Sequence, residues 1–350
     1  MPREMRTGRY GAMLPDSQEP RRHRPPQPGH LSDFIAHHFR HYNAGIVRAA
    51  CEAYVDFLSF DGQMLVSMAG AMSTGEIGLT LAEMIRQKKV HAISCTAANI
   101  EESAFDLVAH DEYVPIPDYR DTTPDDDTAL ASKGLNRVTD TAIPEHGGMD
   151  IIEEGVIDLW KHAERTHARK FWHEYLYTLL KSDTLKAHYA IDPRDCWLLA
   201  AAEANLPVYV PGPEDSTLGN VFAALMLKGE LRDSGIVKSG FEYMVDLARW
   251  YTRTSADHPM GFFQIGGGIS GDFAICVVPM LKLDYGREQT DAWAYFAQIT
   301  DAVESYGGYS GAGGSEKITW SKLTKETPRF MIQSDASIVC PLVFAYVLGW

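Results

Sequence analysis

Residues 64–108, MLVSMAGAMSTGEIGLTLAEMIRQKKVHAISCTAANIEESAFDLV, contain the pattern that decides the fold. An apolar run at 64–72 ends in small residues and is followed by apolar residues at helical spacing. The same order then repeats, with 90–99 as the apolar run and a second helical pattern behind it. Repetition of strand, small-residue turn and helix is typical of a doubly wound, mostly parallel α/β sheet flanked by helices.

Two turns in this stretch indicate where a ligand would bind. The first follows Met72 and the second lies at 96–99, each behind a predicted strand. Open α/β sheets bind ligands at the C-terminal ends of their strands. Neither turn contains GxGxxG, so these turns alone do not specify a dinucleotide.

The remaining sequence predicts more elements of the same kind. LPVYVPG at 206–212 has the composition of a buried parallel strand, and the strand pattern at 261–265 runs into a triple glycine at 266–268. Three glycines after a strand indicate that the backbone bends or is approached closely. We see no repeat and no linker, and therefore predict one domain over residues 31–350. Residues 1–30 are basic and proline-rich, which predicts a flexible tail.

The composition narrows the classes of partner and compartment. The 350-residue chain has a formal net charge of −15, so nucleic acid is a poor partner and a small cation is a good one. Its five cysteines are scattered and form no CxxC pair, which favours a reducing compartment and argues against a zinc site. The sequence has neither an apolar run long enough for a membrane span nor an apolar signal segment. We expect a cytoplasmic protein without a membrane span or bound metal.

SEKITWSKL at 315–323 supplies the candidate chemistry. As an extended strand it would place Glu316, Trp320 and Lys322 on one face and Lys317 on the other. A lysine beside an aromatic wall can lose its hydration, which lowers its pKa and leaves a nucleophilic amine. A carboxylate and an indole face would also suit a cationic amine substrate. The alternative is a surface strand with a solvated lysine that pairs with Glu316.

Several blocks of sequence, taken together, resemble deoxyhypusine synthase. They are TAANIEE at 96–102, KGLNRVTDTAIP at 133–144, DSTLGN at 215–220, IGGG at 265–268, SEKITWSKL, and SDASIVCPL at 334–342. The resemblance covers residues 43–348. It implies a Rossmann-like, NAD-binding fold. It also implies a homotetramer of tightly paired dimers with active sites at the dimer interface.

The resemblance also implies a redox-neutral aminobutyl transfer. Spermidine is oxidised by hydride transfer to bound NAD, and the active-site lysine attacks the resulting imine and releases diaminopropane. An acceptor amine then displaces the lysine, and the retained NADH reduces the product. By position, Lys322 would form the imine, Trp320 would be the wall against the alkyl chain, and Glu316 would be a carboxylate for the amine. The implied NAD-binding set is Ser73, Thr96, Ala97, Glu102, Asp215, Thr217, Asp301, Ala302, Asp335 and Ala336.

Three predicted substrate-binding positions depart from the family pattern. Asp272 stands where the family has an active-site histidine, and Asn220 and Tyr309 stand where it has aspartates. These changes fit the variant group that resembles homospermidine synthases, in which putrescine is the acceptor. The hypotheses are a transferase of that kind with spermidine or putrescine as donor, a true deoxyhypusine synthase that modifies a lysine of a translation factor, and a non-catalytic homologue that binds polyamine or NAD.

Overall fold

The computed structural model describes residues 29–350, and its strands form two sheets. Within this part of the chain the strands are β1 (Gln63–Met68), β2 (Ala92–Cys95), β3 (Val114–Pro115), β4 (Leu135–Val138), β5 (Thr141–Pro144), β6 (Val208–Tyr209), β7 (Met260–Ile265), β8 (Tyr295–Thr300) and β9 (Arg329–Gln333). The large sheet has the order β6-β2-β1-β7-β8-β9, and every neighbouring pair is parallel. The small sheet, β3-β5-β4, is antiparallel.

The order of the large sheet is that of a dinucleotide-binding fold. Numbered only within this sheet, the strands run 3-2-1-4-5-6, which is the Rossmann arrangement. The chain order reverses between β1 and β7, which pair from Gln63 with Met260 to Met68 with Ile265. In such sheets the ligand crevice lies beside this reversal, at the C-terminal ends of the strands. The predicted α/β class is confirmed.

Helices cover both faces of the large sheet. Among residues 29–350 the α-helices are α1 (Leu31–His38), α2 (Tyr42–Ser59), α3 (Gly78–Arg86), α4 (Ala97–Ala109), α5 (Pro124–Ala131), α6 (Gly148–Thr166), α7 (Trp172–Leu180), α8 (Asp183–Lys186), α9 (Trp197–Glu203), α10 (Thr217–Lys228), α11 (Gly240–Thr254), α12 (Gly268–Ile275), α13 (Val277–Pro279), α14 (Glu316–Thr319) and α15 (Ala336–Leu348). None of these helices is both long enough and apolar enough to cross a membrane.

Alternation along the central strands assigns their side chains to the two faces. The ring of Phe263 on β7 lies 5.6 Å from that of Phe344 on α15, and Tyr295 on β8 donates a hydrogen bond to the Ala50 carbonyl of α2. Gln264, the next residue on β7, faces α12, where a Cβ on Gly271 would lie 3.0 Å from its amide carbon. Because both faces are covered, β7 and β8 are buried along their whole length.

The structure contradicts one sequence-based prediction and leaves another untested. Residues 315–323 do not form the predicted strand, because residues 316–319 form the short helix α14 and the backbone then reverses direction. The predicted tail at 1–30 lies outside the described residues except for Gly29 and His30. Its flexibility and the domain boundary at residue 31 stay predictions.

Candidate active site

A cleft of about 340 Å³ lies on the side of the sheet where β7 and β8 end. Its walls come from the C-terminal half of α12, the loop that follows β8, and the segment from α14 to Lys322. Five of the six residues predicted to act on substrate line this cleft, namely Asp272, Tyr309, Glu316, Trp320 and Lys322. The predicted strand was wrong, but the residues it was meant to bring together do meet.

A Schellman motif at the end of α14 brings Lys322 into the cleft. The backbone N–H of Lys322 donates to the Lys317 carbonyl over 3.1 Å, and that of Ser321 donates to the Ile318 carbonyl over 3.0 Å. Ser321 itself is in the left-handed region, with φ +58°. These bonds and this conformation define the motif. The reversal directs both Lys317 and Lys322 into one cleft. In a strand, two residues five positions apart would lie on opposite faces.

Lys322 is an almost buried amine with one carboxylate partner. Only 6% of the residue is exposed, and its Nζ donates a hydrogen bond to Asp272 Oδ1 over 2.9 Å. The same Nζ lies 5.1 Å from the centroid of the Tyr309 ring, within the range of a cation–π contact. Asp272 is half-exposed, so it can contact both the lysine and a molecule in the cleft. Its carboxylate is a proton acceptor within direct reach of the amine.

Lys317 is a second buried lysine in the same cleft, and sequence reasoning missed it. It is 2% exposed, its Nζ donates to the Ala312 carbonyl over 3.0 Å, and the rings of Phe296 and Tyr309 lie 4.9 and 5.2 Å away. Burial, and next the charge of Lys322, lower the pKa of Lys317 to about 8. The predicted strand pointed this residue away from the site.

The rim of the cleft suits an elongated organic cation. Glu304 and Glu316 are exposed carboxylates at this rim, and the indole of Trp320 is 63% exposed beside them. Tyr309 forms an inner wall, and its hydroxyl donates to Gln264 Oε1 over 2.9 Å. Carboxylates at the rim and aromatic rings along the wall provide contacts for an ammonium group and an alkyl chain.

Asn220 is not part of this cleft. It is an exposed residue in the first turn of α10 and does not line the cleft formed within this chain.

The residues implied in NAD binding follow the strands of the large sheet. Ser73 comes after β1; Thr96, Ala97 and Glu102 after β2; Asp215 and Thr217 after β6; Asp301 and Ala302 after β8; Asp335 and Ala336 after β9. Because all these strands are parallel, their C-terminal ends share one edge of the sheet. This is the edge at which α/β sheets bind nucleotides.

Asn99 organises the loop that follows β1, a role that no pattern in the sequence indicated. It is fully buried. Its amide nitrogen donates to the Gly70 carbonyl over 2.8 Å and to Thr96 Oγ1 over 2.7 Å. Its Oδ1 accepts from the backbone N–H groups of Met72 and Ser73 over 2.9 and 3.1 Å. One side chain therefore joins the turns after β1 and β2.

Ser73 is held within the same network. It is 2% exposed. Its hydroxyl donates to the Asn99 carbonyl over 2.7 Å and accepts from Trp197 Nε1 over 2.9 Å. Both contacts are internal to the protein.

Several acidic residues on this edge are also engaged by the backbone. Glu101 accepts from the N–H groups of Thr217 and Leu218 over 2.8 and 2.9 Å, and burial raises its pKa to about 6 against the effect of these bonds. Glu102 accepts from the Thr74 N–H over 3.1 Å, and burial raises its pKa to about 7.

Asp335 caps α15 by accepting from the Ser337 N–H over 2.8 Å. The side chains of Asp215 and Asp301 are exposed. Within the implied NAD-binding set, Asp215 and Asp301 are therefore the two carboxylates that are accessible and do not cap a helix.

Comparison with known proteins identifies the family. The deoxyhypusine synthase family model matches residues 36–347. A deoxyhypusine synthase-like protein of Nostoc punctiforme is 28% identical over 328 residues, which cover 91% of this chain and 79% of that protein. A protein of Archaeoglobus fulgidus named "Probable deoxyhypusine synthase 1" is 23% identical over 312 residues, which cover 88% and 90%.

A solved structure shows the same fold. The crystal structure of a "putative deoxyhypusine synthase" from Entamoeba histolytica superposes with a TM-score of 0.53 at 12% identity, covering 90% of this chain and 91% of that one. At this identity the likeness concerns the fold alone. Since the family model matches most of the described residues, the chain belongs to the deoxyhypusine synthase family.

Proposed function

We propose that this protein is an NAD-dependent aminobutyltransferase of the homospermidine synthase type, with spermidine or putrescine as donor and Lys322 as the residue that forms the imine. The observation that carries the proposal is the position of Lys322, an almost buried amine bonded to Asp272 in a cleft whose rim bears two exposed carboxylates. A buried amine beside a proton acceptor is suited to nucleophilic catalysis. Rim carboxylates suit a donor with further ammonium groups.

The residues at the sheet edge fit a dinucleotide. The N-terminus of α12 lies beside the chain reversal and has no side-chain cap, so its positive end is available to a pyrophosphate. Gly268, its first residue, has φ +60° and open space where a Cβ would be. A Cβ on Gly267, in contrast, would collide with Ser310. An uncapped helix behind glycines allows the close backbone approach that a pyrophosphate needs.

NAD would be held by residues on both sides of the N-terminus of α12. Asp215 and Asp301 offer exposed carboxylates for ribose hydroxyls, and Thr217 offers a hydroxyl at the start of α10. The Thr96 hydroxyl already donates to the Gly70 carbonyl and accepts from Asn99, so Thr96 would contribute through its place in the turn. When bound, NAD would take a hydride from the donor amine and later return it to the product. The protein's own contribution is to bind the amine, exclude water and move protons.

Lys322 and Asp272 would carry out the transfer step. Lys322 Nζ attacks the imine carbon of the oxidised donor, and the new C–N bond forms as the bond to diaminopropane breaks. The proton that Nζ loses passes to Asp272 Oδ1, 2.9 Å away, and from there to the departing amine. Attack by the acceptor amine reverses these steps and frees Lys322. Trp320 and Tyr309 would flank the alkyl chain, and Glu316 would hold an ammonium group.

We also propose a homo-oligomer, a tetramer in which active sites lie at the interface of paired dimers. Leu227 on α10 and Phe241 on α11 are 90% and 87% exposed, which supports an apolar surface that another subunit covers. Asn220 lies on the same helix as Leu227 and could thereby reach a neighbour's cleft. Light scattering of the purified protein tests the mass of the assembly.

Incubation of the protein with NAD, spermidine and putrescine, followed by chromatography of the amines, tests the activity. We expect diaminopropane and homospermidine. Borohydride added during turnover should trap an aminobutyl group on Lys322, detectable by mass spectrometry. Absence of both products and of the adduct would sink the proposal.

Lys322→Arg should abolish product and adduct while leaving NAD binding intact, because arginine keeps the charge but cannot form the imine. Lys325→Arg is the matched control. Lys325 is an exposed lysine three residues away, and this variant should keep full activity. NAD binding is measured by calorimetry in all three proteins.

Two outcomes would favour the alternatives. Transfer of label from spermidine to a translation factor, with no homospermidine, would indicate a true deoxyhypusine synthase. Binding of NAD or spermidine without any trapped imine would indicate a non-catalytic homologue.

A further inference from the structure

The ammonium group of Lys317 lies in a place that is composed like an amine-binding site. Its Nζ is 4.9 Å from the centroid of the Phe296 ring and 5.2 Å from that of the Tyr309 ring, and it donates to the Ala312 carbonyl over 3.0 Å. Aromatic faces and a carbonyl oxygen are groups that bind an organic ammonium. Lys317 is 2% exposed and lines the cleft. The buried part of the cleft therefore already holds a cation, which belongs to the protein itself.

A role in stability alone does not account for this lysine. Buried lysines are as a rule paired with a carboxylate, and Lys317 forms no ion pair with another residue of 29–350. A hydrogen bond to one neutral carbonyl offsets only part of the cost of burying an ammonium. Burial, and next the charge of Lys322, lower the pKa of Lys317 to about 8, so it is mainly charged at pH 7. The chain keeps a costly cation here, which indicates a role toward the molecule that the cleft binds.

We propose that Lys317 is a specificity-determining residue whose ammonium fills a subsite for a substrate ammonium, so that the cleft prefers diamines to triamines. The proposal rests on the proposed function, which makes this cleft an amine site, and it narrows the two donors named there toward putrescine. The carboxylates of Glu316 and Asp272 favour a cation at this place, because both act to raise the pKa of Lys317. They would favour a substrate ammonium in the same way if the space were free.

The distance between the filled subsite and the reacting amine suits one arm of a triamine. The Nζ atoms of Lys317 and Lys322 both lie over the ring of Tyr309, at 5.2 and 5.1 Å from its centroid. Spermidine carries one aminoalkyl arm on each side of the bond that is oxidised. With its reacting carbon at Lys322, one arm extends toward Glu316 at the rim and the other toward the space that Lys317 fills. Putrescine has a single arm, which the rim can accept.

Amine binding to the full-length protein tests this without NAD and without turnover. Calorimetry at pH 7 and constant ionic strength gives Kd for putrescine and for spermidine. Lys317→Ala and Lys317→Ser open the subsite. Lys317→Met removes the charge but keeps most of the volume, and Lys325→Ala removes an exposed lysine as the matched control. Thermal unfolding shows which variants are folded.

The two opening variants should raise the affinity for spermidine relative to putrescine by about tenfold, because the ring faces and the Ala312 carbonyl become available to the second arm. Lys317→Met should change this ratio by less than about threefold, since the space stays filled, and Lys325→Ala should leave it unchanged. An unaltered ratio in a folded opening variant would overturn the inference. An equally large change in Lys317→Met would also overturn it, because charge rather than space would then set the preference.

A small amine supplies an independent check. n-Propylammonium has the atoms that Lys317→Ala lacks beyond Cβ, so it should raise the midpoint of thermal unfolding of this variant and leave that of the wild type unchanged. n-Propanol, which has no charge, should raise neither. A folded Lys317→Ala that n-propylammonium does not stabilise would overturn the inference.

The enzyme assay separates this inference from the proposed function. Putrescine as donor releases ammonia, whereas spermidine releases diaminopropane, so Lys317→Ala should form more diaminopropane per ammonia than the wild type. The expected shift in binding without any product from the wild type would contradict the proposed function alone. Turnover by the wild type with an unaltered binding ratio in Lys317→Ala would contradict this inference alone.

Discussion

At the scale of single residues, Asp272 sets the chemistry open to Lys322. A histidine at this position could donate or accept a proton at neutral pH, whereas a carboxylate accepts one and also holds a cation. The ion pair with Lys322 occupies Asp272 Oδ1, so an incoming ammonium would bind the other oxygen. The half-exposed side chain of Asp272 leaves its second oxygen free for that contact.

Asn99 should contribute more to stability than any surface polar residue of similar size. In Asn99→Ala the N–H groups of Met72 and Ser73 lose their acceptor in a buried place, and a cavity is left. We expect the free energy of unfolding to fall by about 3 kcal/mol. Urea unfolding measures it. Asn136→Ala, at an exposed asparagine on β4, is the control and should change it by less than about 0.5 kcal/mol. Equal effects would contradict the role given to Asn99.

The limits of prediction are clearest for Asn99 and the two lysines. Lys322, Glu316 and Trp320 could be predicted because the family resemblance identifies them whatever the local conformation. Lys317 could not, because it reaches the cleft only through a backbone reversal that alternation does not encode. Asn99 could not, because its partners are mainly backbone groups brought together by the parallel sheet.

At the scale of elements, α14 shows why the predicted strand was wrong. A helix of four residues is too short to produce helical periodicity, so alternating polarity was the only pattern visible in SEKITWSKL. The longer elements, such as α4 and β7, were predicted correctly because their apolar patterns extend over at least six residues. Two residues of α14 and two beyond it line the cleft.

Ser321→Gly should stabilise the protein. Ser321 has φ +58°, which costs a residue with a Cβ about 1 kcal/mol, whereas glycine adopts this region freely. We expect the free energy of unfolding to rise by roughly 0.5–1 kcal/mol in thermal or urea denaturation. Ser132→Gly, at a helix end with φ −64°, should give no gain. A loss of stability in Ser321→Gly would show that the serine side chain has a role of its own.

At the scale of the whole molecule, the position of the cleft follows from the strand order. Cleft residues come after β7 and β8, and the implied NAD-binding residues come after five strands of the same sheet. The class of the fold could be predicted from residues 64–108. The pairing of β1 with β7 could not, because a right-handed parallel crossover leaves no local sequence signal.

Global stability should fall in acid partly through His91. The backbone N–H of Met64 on β1 donates to His91 Nδ1 over 3.0 Å, which requires that nitrogen to be unprotonated. Burial, and next the charge of His258, lower the pKa of His91 to about 4. The unfolded chain, with a histidine pKa of about 6.5, therefore binds the proton more readily between these values. The stabilisation is present above about pH 6.5 and is lost as the pH falls toward 4.

Urea unfolding at pH 7 and 4.5 measures this loss. Between these pH values the wild type should lose roughly 2 kcal/mol more than His91→Gln, which keeps a neutral acceptor. His188→Gln, which removes an imidazole from an exposed position, is the control. Parallel losses in wild type and His91→Gln would contradict the assignment.

The pairing of β1 with β7 also has a consequence for biosynthesis. Gln63 pairs with Met260, so the two central strands lie about 200 residues apart in the chain. At about 5–20 residues per second, a ribosome needs roughly 10–40 seconds to make the second strand after the first. During that time one edge of an apolar strand has no partner and can pair with other chains. The yield of native protein should therefore fall when translation is slowed and rise with chaperones that cover the strand edge, and it should follow these factors more than the stability of the finished fold.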